Sequence, residues 1–150
     1  KELEKQKNLP GSITYETNGT QTLKEPFKEW IKNCDTEIFF SVSPKLFTVS
    51  GEKTEKAIKP ETVAEYYKLR KTGQLKFVVG EKDREWDEME SAIEKFRNAG
   101  VEWPVWVMPT GAREEEQVSG AGKVAEKAFK KGYNVAARVH VYLFGNAIGT

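Results

Sequence analysis

The chain has a single cysteine, Cys34, and a single histidine, His140, in its 150 residues. One thiol excludes a disulfide framework, a cysteine-rich zinc site and any cluster held by several cysteines of this chain, and it points to a reducing compartment. Charge of one sign is not in excess either. Lys plus Arg number 24 against 23 Asp plus Glu, a formal charge of +1, and no basic patch with interleaved aromatics occurs. A nucleic-acid surface has no support from that balance. Apolar runs are short, as in Ile38-Phe39-Phe40, far below the roughly 20 residues a membrane helix needs. The expectation is a soluble protein with neither a nucleic-acid nor a membrane partner. No Gly-x-Gly-x-x-Gly follows the first strand and no Gly-x-x-x-x-Gly-Lys is present, so a dinucleotide fingerprint and a phosphate loop are both missing. No signal-peptide pattern opens the chain, which starts at Lys1, and the start reads as truncated.

What is there is enough for one ordinary domain with a real core. The organising stretch is Ser12-Ile13-Thr14-Tyr15-Glu16-Thr17-Asn18-Gly19-Thr20-Gln21. Ile13 and Tyr15 alternate with Thr14 and Glu16, as on a pleated strand with two unlike faces. Asn18-Gly19 ends it, and Gly19 permits backbone angles closed to other residues and lets a ligand approach the main chain. Asn-Gly is also the commonest hairpin signal. Here a helical pattern follows instead of a partner strand, which makes the turn a strand-to-helix junction.

The charged stretch from Lys1 to Asn8 reads as the tail of a helix ending before Leu9-Pro10-Gly11. Glu25 to Asn33 places Phe27, Trp30 and Ile31 at helical spacing, with Pro26 in the first turn. Glu37 to Ser43 is the second strand, ending in Ser43-Pro44-Lys45, and Ser50 to Lys59 reads as a loop. Pro60 opens a helix with Val63, Tyr66 and Tyr67 on one face, stopped by Gly73. Gln74 to Val79 is a third strand, closed by Gly80-Glu81-Lys82. Asp83 is the expected N-cap of a helix whose Trp86, Met89, Ile93 and Phe96 form a core stripe, with Gly100 at its end. Trp103 to Met108 is the fourth strand and runs into Pro109-Thr110-Gly111. Glu114 to Lys131 is helical, although Gly120 and Gly122 each cost about 1 kcal/mol relative to Ala. Val135 to Leu143, carrying Arg138, His140 and Tyr142, is the expected fifth strand, and Phe144 to Thr150 a tail. Five strands alternating with four helices predict a parallel sheet with right-handed crossovers.

Parallel sheets bind ligands at the carboxyl ends of their strands. The polar clusters at Glu16 to Thr20, Ser43 to Lys45, Gly80 to Lys82, Met108 to Gly111, and Arg138 with His140 would then share one rim. Ser, Gly and Pro after a strand are also what any βα loop contains. Lys45, next to Pro44, is either a rigidly held cation for a ligand carboxylate or a solvated charge. His140 alternates with Val139 and Val141, which predicts an inward position in a barrel, as a site residue or as a buried hydrogen-bonded histidine. Glu16 could accept from a ligand or pair with Lys76 or Arg138. Cys34, with no histidine near it in sequence, reads as an inert thiol.

Glu-Thr-Asn-Gly-Thr at 16–20, Ser-Pro-Lys at 43–45, Leu-Lys-Phe-Val at 75–78, Met-Pro-x-Gly at 108–111 and Arg-x-His at 138–140 occur in this order. Together, over nearly the whole chain from about Ser12 to His140, they resemble the 7-carboxy-7-deazaguanine synthases, radical S-adenosylmethionine enzymes of queuosine and deazapurine biosynthesis. The resemblance implies an α/β fold, a partial (βα) barrel of the radical S-adenosylmethionine type, of which residues 1–150 would be the C-terminal part of a single domain. In that family a three-cysteine loop holds a 4Fe-4S cluster, S-adenosyl-L-methionine yields a 5′-deoxyadenosyl radical, and Mg2+ assists the ring contraction of 6-carboxy-5,6,7,8-tetrahydropterin. The cluster and magnesium ligands are not in this chain, which by itself would be inactive. Carried over by motif, Gly19, Ser43, Pro44, Lys45 and Met108, Pro109, Thr110 and Gly111 correspond to S-adenosylmethionine contacts, and Thr17 and His140 to contacts with the pterin. Thr150 would supply a terminal carboxylate near the substrate, although the tail here is longer than in family members. No residue of the chain is assigned a catalytic or metal-ligating part. The resemblance further implies a cytoplasmic setting and allows a homodimer. A non-catalytic binding domain of the same fold, or another radical enzyme such as an activase, are the alternatives.

Overall fold

The computed structural model describes residues 9–111 and 114–144. Five parallel strands, β1 (Ser12–Thr17), β2 (Glu37–Val42), β3 (Gly73–Val79), β4 (Val105–Pro109) and β5 (Asn134–Val135), pair in the order in which they occur in the chain. Helix α1 (Glu25–Asn33) joins β1 to β2. Two single turns, α2 (Phe47–Ser50) and α3 (Thr54–Ala57), and helix α4 (Pro60–Leu69) lead to β3. Helices α5 (Asp83–Asn98) and α6 (Glu114–Lys130) make the next two crossovers, and the short helix α7 (Val139–Phe144) follows β5. Among the described residues no helix is long and apolar enough to cross a membrane.

A strictly sequential order has one consequence for layering. Right-handed crossovers that never reverse direction put every helix on the same side of the sheet, so one face is a core and the other is not. The burial follows that parity. Ile38, Phe40, Val42, Leu75, Phe77, Val79 and Val107 are buried, and they meet Ile31 of α1, Val63 and Tyr66 of α4, Trp86, Met89 and Phe96 of α5, and Val124 and Ala128 of α6 in one cluster. Register puts Glu16 beside Ser41, Lys76 beside Trp106 and Val78 beside Met108 on the opposite face. The expected core stripe of α5 is buried throughout.

Several expectations shift. Helix α4 stops at Leu69, and Gly73 begins β3, where a Cβ would lie 2.5 Å from Cε2 of Trp103 and 2.7 Å from the carbonyl oxygen of Phe40. Gly73 is therefore a close-packing glycine and not a helix stop. Lys82 occupies the N-cap of α5, and Asp83, one residue inside, pairs with Lys127 at 2.5 Å. The stretch expected as a loop at 50–59 contains α3.

The largest correction concerns the fifth strand. β5 has two residues, and Val139 to Leu143 are helical: the Val141 N–H donates to the Arg138 carbonyl at 2.9 Å and α7 begins. Among the described residues the ladder with β4 ends at the Ala136 N–H, which donates to the Val107 oxygen at 2.9 Å. Beyond it Pro109 carries no N–H to extend the pairing. His140 thus sits on a helix and not on an inward-facing strand. Its side chain, Thr150 and the expected helix at Lys1 to Asn8 lie outside the described residues.

β1 pairs only with β2, which leaves its outer row of backbone groups open among the described residues. Beside that edge, Ile13, Tyr15, Phe27 and Trp30 line an apolar hollow of about 380 Å³.

Candidate functional site

The site is built from the polar face of the sheet at the carboxyl ends of the strands. After β1 the chain must turn towards α1, and side chains supply the turn. Thr17 Oγ1 accepts from the Gly19 N–H at 3.1 Å, and Asn18 Oδ1 accepts from the Thr20 N–H at 3.1 Å and from its hydroxyl at 2.8 Å. Gly19 has φ of +78° and is buried, and a Cβ there would come within 2.8 Å of Val42 and 2.9 Å of Val63. Glycine at this position is fixed by turn geometry and packing. The Tyr66 hydroxyl donates to the Gln21 carbonyl and clamps the turn from α4. Burial pushes the Tyr66 phenol up, against a lowering hydrogen bond with Thr17.

After β2 the Ser43 N–H donates to the Thr17 carbonyl at 2.7 Å, one step beyond the strands proper. Pro44 is buried, Lys45 exposed and Leu46 buried, so the lysine is held out between two anchors. The anchoring continues from α5. Glu88 accepts from the Phe47 N–H at 2.7 Å, the Thr48 N–H at 2.9 Å and the Thr48 hydroxyl at 2.6 Å. Burial raises the Glu88 pKa, but these bonds and one from Thr54 outweigh it and leave the carboxyl below its usual range.

These ends enclose a groove of about 370 Å³, within the range of ligand sites, reached by Thr17, Ser43, Lys45 and Met108 and also by Glu16, Ser41, Lys76, Val78 and Arg138. Of the expected site residues, the first four are brought together. Gly19 and Pro44 support them from behind. The run from Met108 to Gly111 is divided: Met108 faces the groove, while Thr110 and Gly111 line a larger hollow of about 510 Å³ beside Gly80, Glu81 and Glu85. We take the smaller groove as the site. In the larger hollow the carboxylates are engaged, Glu85 by the Gly80 N–H at 2.6 Å and Glu81 by Lys123 at 3.0 Å. The groove is different: Lys45, Lys76 and Arg138 face one carboxylate, Glu16. Glu16 binds Lys76 at 3.2 Å. Among the described residues no carboxylate is paired with Lys45 or Arg138.

Sequence reasoning missed Ser41 and Val78. Buried Ser41 accepts from Gln74 Nε2 at 2.9 Å, and both residues share the strand parity of Glu16, a signal readable only once the register is known. The surplus of cations over an apolar strip, Val78 and Met108, suits an anionic ligand with a flat apolar part.

A 4Fe-4S cluster or magnesium does not fit the described residues. Cys34 is half-buried between α1 and β2, at the amino ends of the strands and the far rim from the groove, with its thiol directed to the carbonyls of Ile31 and Thr36 at 3.5 and 3.6 Å. No three His, Cys, Asp or Glu side chains converge among the described residues.

No protein-family model matches the chain, and no curated protein or solved structure shows detectable similarity to it.

Proposed function

We propose that this chain is the cofactor- and substrate-binding part of a radical S-adenosylmethionine enzyme of the 7-carboxy-7-deazaguanine synthase type, with a barrel-type sheet completed by residues outside the chain. The observation that carries the reading is the convergence of Thr17, Ser43, Lys45 and Met108, from three separate strand ends, on one groove with a cation held out between buried Pro44 and Leu46. The donor set fits S-adenosylmethionine: Lys45 for the methionyl carboxylate, Ser43 and Thr17 for hydroxyls, and Met108 with Val78 for the apolar side of the adenosyl group. When bound, that cofactor supplies an adenosyl group for hydrogen abstraction. The residues of this chain bind and orient it. Reductive chemistry would need a cluster held elsewhere, because Cys34 is at the wrong rim. The expected substrate is a pterin carboxylate, and the activity that of a carbon–nitrogen lyase.

Calorimetric titration of the chain with S-adenosylmethionine tests the reading. Lys45→Ala should weaken binding about 10- to 150-fold, the equivalent of one lost charged hydrogen bond of roughly 1.5–3 kcal/mol. Unchanged affinity in the variant, or no binding by the parent chain, would refute it.

A further inference from the structure

Arg138 is the least satisfied cation of the groove. Its backbone is fixed from two sides, by the end of the β4–β5 ladder at Ala136 and by the Val141 N–H on its own carbonyl at 2.9 Å. Its Nε is buried and meets no hydrogen-bond partner among the described residues. A buried guanidinium N–H without an acceptor is costly. The carboxylate that lines the same groove, Glu16, is already paired with Lys76 at 3.2 Å. An acceptor supplied by a ligand resolves the imbalance.

Position separates this cation from Lys45. Lys45 follows β2 and Arg138 follows β5, with β3 and β4 between them, so their strands stand roughly 14 Å apart at about 4.8 Å per strand. Val78 and Met108, partners in register, lie on the two intervening strands and face the same groove. Cation, apolar strip, cation is the order across the sheet. Two anionic groups fit this better than one, and a planar fork favours a carboxylate gripped by two N–H bonds.

We infer that Arg138 is a second anion-binding residue, separate from Lys45, that receives the carboxylate of a heteroaromatic ligand lying against Val78 and Met108. The inference rests on the function proposed above and assigns the substrate side of the same groove. Three probes separate its parts: 6-carboxypterin, pterin without the carboxylate, and S-adenosylhomocysteine. They are titrated calorimetrically into the parent chain, Arg138→Met and Arg138→Lys, with circular dichroism as the check on folding. The parent should prefer 6-carboxypterin to pterin. Arg138→Met should abolish that preference, losing about tenfold or more for 6-carboxypterin while pterin and S-adenosylhomocysteine bind as before. Arg138→Lys, which keeps the charge but not the fork, should fall between. Equal losses for both pterins would overturn the inference by showing a packing effect, and a loss confined to S-adenosylhomocysteine would overturn it by moving Arg138 to the cofactor side. A parent chain that binds S-adenosylhomocysteine but neither pterin refutes this inference alone. One that binds none of the three refutes the proposed function, and this inference with it.

Discussion

Replacing Glu88 by Gln should loosen the segment that carries Lys45. The carboxylate holds two backbone N–H groups and a hydroxyl of residues 47 and 48 at 2.6–2.9 Å, two and three positions after Lys45. Each such charge-assisted bond has a net worth of roughly 1.5–3 kcal/mol. Glutamine keeps one acceptor oxygen and turns an NH2 towards a donor, and neutralisation removes the burial cost of the charge. The balance is a loss of about 2–4 kcal/mol, or a Tm lower by roughly 4–16 °C in a chain of this size. The pH dependence is the sharper observable. Burial raises the Glu88 pKa, but the bonds from Thr48, Phe47 and Thr54 outweigh it, so the folded-state pKa is depressed. A depressed carboxyl contributes stability that is present above its unfolded pKa and lost as pH falls through the folded one. The difference between parent and Glu88→Gln should thus be full at pH 7 and shrink below about pH 4. Urea unfolding followed by circular dichroism at several pH values measures it. A deficit that persists undiminished at low pH, or no deficit at neutral pH, would show that the charge is not what pins the segment.

Gly19→Ala combines a left-handed φ of +78° with contacts of 2.8 and 2.9 Å to Val42 and Val63. It should cost about 2–4 kcal/mol, and an unchanged urea midpoint would contradict the packing described for the first turn. Gly73→Ala directs a methyl at Trp103 and at the Phe40 carbonyl, 2.5 and 2.7 Å away. Because backbone cannot yield as a side-chain tip can, a loss of roughly 1–3 kcal/mol or more is expected, and differential scanning calorimetry showing parent-like melting would rule it out.

The sequence made the first four strands and the four longer helices legible because each carries one clear period: alternation at Ile13 and Tyr15, and a three-and-four spacing at Trp86, Met89, Ile93 and Phe96. It failed where period and context disagree. Val139, Val141 and Leu143 alternate as a strand would, yet they form α7, where Val141 is 1% exposed and its two neighbours in the pattern are 58% and 67% exposed. The pairing partner decides this, and among the described residues the β4–β5 ladder ends at Ala136. The turns α2 and α3 have no local signal either. Glu88, more than thirty positions away in the chain, anchors the residues that form them. As for the groove, Thr17, Ser43, Lys45 and Met108 follow from a simple rule about strand ends. Ser41 and Val78 depend on strand register, and the division of Met108 from Thr110 and Gly111 depends on which side of the sheet each residue faces after β4.

The parity of the sheet also separates what can change from what cannot. Along β3, Leu75, Phe77 and Val79 are committed to the core, while Lys76 and Val78, each between two of them, touch only the groove side. Substitution at the second set alters what the groove recognises and leaves the helix-covered layer as it was. Coupling is confined to neighbours that touch, as Lys76 does Glu16 at 3.2 Å and Gln74 does Ser41 at 2.9 Å, and changes farther apart in the groove should act nearly independently. A scaffold of this kind can change its groove lining by single steps that leave the buried layer in place.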